Sequence, residues 1–161
     1  MKKYISIFLT FILIISITAC GNSGVSTPKK EIEGSLAEIM DQIYDRSGTG
    51  FSDEVMLNST EITKENISGF IGTDEIDFEE GLAREPMINA IPHSLVLLRM
   101  NAEANIDDAK TKIQENADPQ KWICVFVDES DLKVESEGNL ILLIIAENSD
   151  KYAEAFHNLA K

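Results

Sequence analysis

Apolar residues along this chain follow two periods. From Ser35 the first is helical: Leu36, Ile39, Met40, Ile43 and Tyr44 recur at three- and four-residue spacing and define one buried face. Ser35-Leu-Ala-Glu38 has the form of a capping box, and Ser47-Gly48 supplies the stop. Residues 48–62 show no sustained period and read as a loop. Thr63 is expected to cap a short helix carrying Ile67, Phe70 and Ile71, with Gly72 after it. From Ile76 the spacing becomes that of extended chain. Ile76, Phe78 and residues 81–85 suggest a strand that Pro86 would confine to a sheet edge. His93–Met100 is almost continuously apolar, as in a strand buried on both faces. Asn105 caps the next helix, with Asp107 and Asp108 in its first turn and Ile106, Ala109 and Ile113 inside, until Asp118-Pro119 stops it. Trp122–Val127 is expected as the clearest β-branched and aromatic strand. A short strand from Leu132 to Glu135 then turns through Glu137-Gly138-Asn139 into Leu140–Ala146. The final helix, capped by Asn148 or Ser149, buries Tyr152, Ala153, Phe156 and Leu159. The order α-α-β-β-α-β-β-α predicts an α+β domain, a mainly antiparallel sheet with helices packed on it.

The first thirty residues follow neither period. Met1-Lys2-Lys3 is a positive start, and Tyr4–Ile17 is apolar except for Ser6, Thr10 and Ser16. Fourteen helical residues span roughly 21 Å, short of a ~30 Å hydrocarbon core, so an export signal is the better reading. Ile17-Thr18-Ala19-Cys20-Gly21 resembles the lipobox of lipoprotein signal peptidase, in which small residues admit the backbone and the thiol accepts a diacylglyceryl group. Cleavage by ordinary signal peptidase after Ala19, with Cys20 incidental, is the alternative. Two acyl chains hold a protein durably where one would not. The expected organisation is therefore a signal peptide over 1–19, a lipidated flexible tether over 20–33 and one α+β domain over 34–161. The address is the outer face of the bacterial cytoplasmic membrane.

Charge narrows the choice of partners. Fourteen Lys and Arg stand against 28 Asp and Glu, a formal net of −14, which becomes −16 once Lys2 and Lys3 leave with the signal peptide. Such a field repels nucleic acid and anionic headgroups. Cys20 and Cys124 are the only cysteines. With Cys20 lipidated, Cys124 has no intramolecular partner, and its apolar surroundings predict a buried small hydrophobe rather than a reactive thiol.

Several stretches carry a resemblance. Arg84-Glu-Pro-Met87, His93-Ser-Leu-Val-Leu-Leu-Arg99, and Asn116 through Pro119 into Lys121-Trp-Ile-Cys-Val125 resemble an uncharacterised family of small Gram-positive lipoproteins, a domain of unknown function. The likeness covers roughly residues 35–160, with the leader and lipobox similar too. It implies lipoprotein status and a single α+β domain, and it carries over no activity, cofactor or catalytic residue.

Constellations for chemistry are sparse. His93 and His157 are the only histidines, and neither has a partner at zinc-ligand spacing. Ser94 follows His93 directly, which puts the two side chains on opposite faces of a strand. The acidic run Asp74–Glu80 lacks the alternating ligands and central glycine of an EF-hand loop and reads as solvated. Arg84 precedes a proline-marked bend with Met87 expected inside, Arg99 ends an apolar strand, and His157 is expected at the surface. Arg84, His93 and Arg99 are the candidate ligand-binding residues; no cofactor, metal site or catalytic residue is assigned. The leading reading is a non-enzymatic, membrane-anchored module binding a protein, peptide or envelope component. The alternatives are an extracytoplasmic hydrolase using His93 and a cation-binding lipoprotein. Radiolabelled palmitate should enter the protein, and Cys20→Ser should release it to the medium; unchanged membrane retention of that variant would refute the anchor.

Overall fold

The computed structural model describes residues 31–161; the leader, Cys20 and most of the expected tether lie outside them. The α+β reading holds. Five strands form one fully antiparallel sheet in the order β1-β2-β3-β5-β4, made of β1 (Leu57–Glu61), β2 (Phe78–Pro86), β3 (His93–Met100), β4 (Leu132–Glu137) and β5 (Leu140–Ala146). Helices α1 (Leu36–Ser47) and α5 (Ser149–His157) cover one face, and α3 (Ser68–Ile71) and α4 (Ile106–Asn116) the other, while α2 (Phe51–Glu54) is a single turn before β1. Alternate residues of the central strands feed two cores. Leu95 and Leu97 of β3 with Leu140, Leu142 and Ile144 of β5 meet Ile39, Met40, Ile43 and Phe156. Val96, Leu98 and Met100 with Ile141, Leu143 and Ile145 meet Ile67, Ile71, Ala109 and Ile113. Every residue of β5 is buried.

Local chemistry sets the helix ends. The Ser35 amide and hydroxyl each donate to Glu38 at 2.9 Å while the Glu38 amide returns a bond to the Ser35 hydroxyl, and these bonds hold the Glu38 carboxyl below its usual range. Gly48 closes α1 in the left-handed region (φ 60°), and the Asn105 side chain accepts the Asp108 amide at the start of α4. Packing begins slightly before α1, since Ile32 belongs to the first core.

Four sequence expectations fail here. Trp122–Val127 is not a strand: Cys124 has φ 69°, and the Val127 amide donates to the Pro119 carbonyl at 3.1 Å, closing the run into a loop with no ladder to join. The 48–62 stretch is not plain loop, because it contains α2 and the edge strand β1, whose polar sequence carries no period-2 signal. Thr63 does not cap α3 through its side chain; its carbonyl accepts the Ile67 amide in a preceding turn. β2 is an interior strand despite Pro86. Bonds from the Met87 amide to Met56 and from the Ile62 amide to Gly81 put odd-numbered β2 residues in the ladder with β1. Pro86 therefore turns its missing donor toward β3, beyond the last pair, Arg84 with Leu95.

The sheet has two poles. At one, Glu31 lies beside Gly138, and Arg99 Nη2 donates to the Gly34 carbonyl at 2.8 Å; here the described chain joins the domain. At the other, roughly 24 Å away along the eight residues of β3, lie His93, the end of β2 and the start of β1. Within the α3/α4 layer, Gly72 (φ 81°) seats α3 on the end of α4, where an added Cβ would overlap the Asn116 carbonyl. Gly72→Ala should therefore destabilise the fold by more than the ~1–2 kcal/mol that left-handed geometry alone costs an L-residue, read as a lowered Tm.

Candidate functional site

The far pole gathers the side chains with chemical potential, and the two sheet faces hold different sets. On the α1/α5 face, β3 begins with His93, which is 2% exposed. Its Nε2 shares a 2.8 Å hydrogen bond with the Tyr44 hydroxyl from the last turns of α1. Phe51 stacks on the imidazole at 4.0 Å between centroids, and Tyr152 meets it edge-on at 5.5 Å. Burial raises Tyr44 and Tyr152 above the ordinary phenol range and pushes His93 down to about 3, so the imidazole stays neutral. Arg84, opposite Leu95, lies 5.8 Å from the Tyr44 ring centroid, pairs with Asp41 at 2.6 Å and donates to the Ser59 hydroxyl at 3.2 Å.

On the opposite face, Lys121 Nζ reaches Glu85 at 2.5 Å and the Ser94 hydroxyl at 3.2 Å, and it lies over the Phe70 and Trp122 rings. This ammonium pins the loop that follows α4 onto the sheet. Trp122 packs partly against the second core and Val127 is buried, while Ile123 and Phe126 project into water at 83% and 69% exposure. Cys124, expected inside, is exposed, because the left-handed backbone turns it outward. Met87, expected inside, is 63% exposed, since the chain has already left the sheet there. Met56 and Ile88 complete the set. Among the described residues these five are the exposed large apolar side chains, and all stand at the pole opposite Glu31.

The three candidate ligand-binding residues do not converge. Arg84 and His93 approach each other across Tyr44, whereas Arg99, roughly 20 Å along β3 from His93, pairs with Glu80 at 3.3 Å and tethers Gly34. Serine–histidine chemistry has no geometry here: His93 is sealed under three aromatic rings, and Ser94 faces the other layer against Lys121. The carboxylates of the acidic run are all exposed, as expected of solvated groups, and two of them also pair at the surface. Asp77 accepts from Asn101 at 2.8 Å and pairs with Lys64, and Glu80 pairs with Arg99. Among the described residues no cluster of three His, Cys, Asp or Glu is arranged for a metal. His157, only half exposed, has Glu137 2.5 Å from Nδ1 and Glu135 3.1 Å from Nε2, joining α5 to β4. No described helix is long and apolar enough to cross a membrane.

Sequence reasoning missed Tyr44, Lys121 and the exposed apolar set. The apolar run at 122–127 was visible, but only the loop decides that half of it faces water. No protein-family model, curated protein or solved structure matches the chain.

Burial of a neutral His93 has a pH consequence. The unfolded chain takes up a proton near pH 6.5 that the folded state refuses until about pH 3, so stability is lost as pH falls through that window. The loss from this group is at most about 1.4 kcal/mol per pH unit. His93→Gln keeps a hydrogen-bonding partner for Tyr44 and does not titrate. Its Tm should fall less than the wild type's between about pH 7 and about pH 5; an equal fall would assign the acid sensitivity elsewhere.

Proposed function

We propose that this protein is a lipid-anchored, extracytoplasmic binding module that presents its far pole to a protein partner and carries out no catalysis. The observation that carries the reading is that the five exposed large apolar side chains, Met56, Met87, Ile88, Ile123 and Phe126, all belong to strand ends or the loop at the pole away from Glu31. Apolar side chains held in water on one region of a folded protein mark an interaction surface, and methionine and aromatic residues are favoured in such contacts. The positive start, the apolar leader and the lipobox cysteine at position 20 support the anchor, as does the resemblance to small Gram-positive lipoproteins. In this reading the chain from Cys20 would join the domain beside Gly138, at the pole opposite the apolar residues, which leaves that pole free of the attachment point. The acidic surface agrees with a partner other than nucleic acid or anionic lipid.

The test is site-specific photo-crosslinking in intact cells. A crosslinker in place of Phe126 should yield a discrete protein adduct that is lost in an Ile123→Ser, Met87→Ser background, and one in place of Glu154 on α5 should yield none. Equal labelling from both sites, or none from position 126, overturns the reading.

A further inference from the structure

The sheet has two edges, and they are treated differently. β4 lies between α4 and α5, and Lys133 and Glu135 bind α5 through Asp150 and His157. Among the described residues no helix covers β1, and the strand has neither lysine nor proline, the usual guards of an open edge. Its register with β2 commits even-numbered residues to the ladder, as the bond from the Met87 amide to the Met56 carbonyl and that from the Ile62 amide to the Gly81 carbonyl show. The main-chain groups of Leu57 and Ser59 therefore point away from the sheet, and among the described residues no hydrogen bond engages them. At the end of the strand the Glu61 carbonyl is capped by Asn66 Nδ2 at 2.9 Å, which limits the open edge to its first half.

A cleft of about 350 Å³ lies beside this half of β1, with Asp53, Glu54, Met56, Leu57, Ser59 and Arg84 on its walls. The Arg84 charge is met by Asp41 at 2.6 Å, so the two exposed carboxylates of α2 set the sign of the cleft. Four unengaged main-chain groups, an exposed methionine and a negative wall define the occupant: extended polypeptide with basic side chains. A second copy of this chain fits poorly, because it would bring the same carboxylates and another net charge of −14.

We propose that β1 is a docking edge on which an extended, basic segment of a partner protein adds as a sixth strand over Leu57–Ser59, its lysine or arginine side chains over Asp53 and Glu54. This deepens the binding-module reading and rests on it, and it assigns that module a second contact beside the apolar pole.

The test uses the full-length protein in non-ionic detergent with a fluorescein-labelled peptide of alternating lysine and valine, followed by anisotropy and by hydrogen exchange of the β1 amides. Saturable binding should appear, with the Leu57 and Ser59 amides newly protected. The same peptide with glutamate for lysine, and the Asp53→Lys, Glu54→Lys variant, should each bind roughly tenfold more weakly or worse. Ser59→Pro removes an outward donor and no ladder bond, so it should lose the peptide while keeping its melting temperature within a few degrees. If that variant fails to fold, amide protection and charge reversal still decide. Binding that ignores charge reversal, or protection that maps away from β1, overturns the proposal. So does concentration-dependent dimerisation abolished by Ser59→Pro, which would give the edge to a second copy. Absent peptide binding with position-126 adducts intact sinks the edge alone, whereas loss of both sinks the binding-module reading too.

Discussion

The constraint on which the rest depends is that β3 and β5 have no face in water. From Leu95 to Leu98 and from Leu140 to Ala146 every side chain is buried, so the sheet is stable only with a helical layer on each side. At about 1.5–3 kcal/mol for each large apolar side chain removed from water, no surface interaction in the molecule competes with this pair. The helices are placed by that demand. α1 and α5 complete one core and α3 and α4 the other, and the polar groups are driven to the poles and edges.

Two polar devices then organise the far pole. The hydrogen bond between Tyr44 and His93 joins α1 to the first residue of β3 within a cage of rings, which rigidifies one face. Lys121 fastens the loop after α4 to Glu85 and Ser94 on the other face. A half-buried ammonium with a carboxylate, a hydroxyl and two ring faces is well satisfied, and the contacts hold the loop in place. That anchorage keeps Ile123 and Phe126 in water without letting the loop collapse onto the core.

Local signals were legible where the physics was local. The Ser35–Glu38 box, the Asn105 cap and the Gly48 stop act within four residues, and each works as its sequence implies. The apolar runs of β3 and β5 were legible because burial on both faces leaves no polar positions to interrupt them. β1 was hidden, since Leu57-Asn-Ser-Thr-Glu61 sits on an edge and buries little. Arg84 and His93 were singled out for their chemistry, but the group that joins them, Tyr44, lies 49 residues from His93 in sequence. Arg99, grouped with them by residue type, serves the opposite pole.

The amino-acid sequence by itself determined the α+β class, most element boundaries and the expectation of a lipid-bearing cysteine, because periodicity, capping and a run resembling a lipobox are each contained in a short window. Only the tertiary structure decided that Trp122–Val127 forms a loop and not a strand. A strand exists through its neighbours, and here Val127 closes back on Pro119 while β2 on one side and β4 on the other flank the central strands β3 and β5. Tertiary placement likewise turned Cys124 and Phe126 outward and left the outer side of β1 open at the sheet edge.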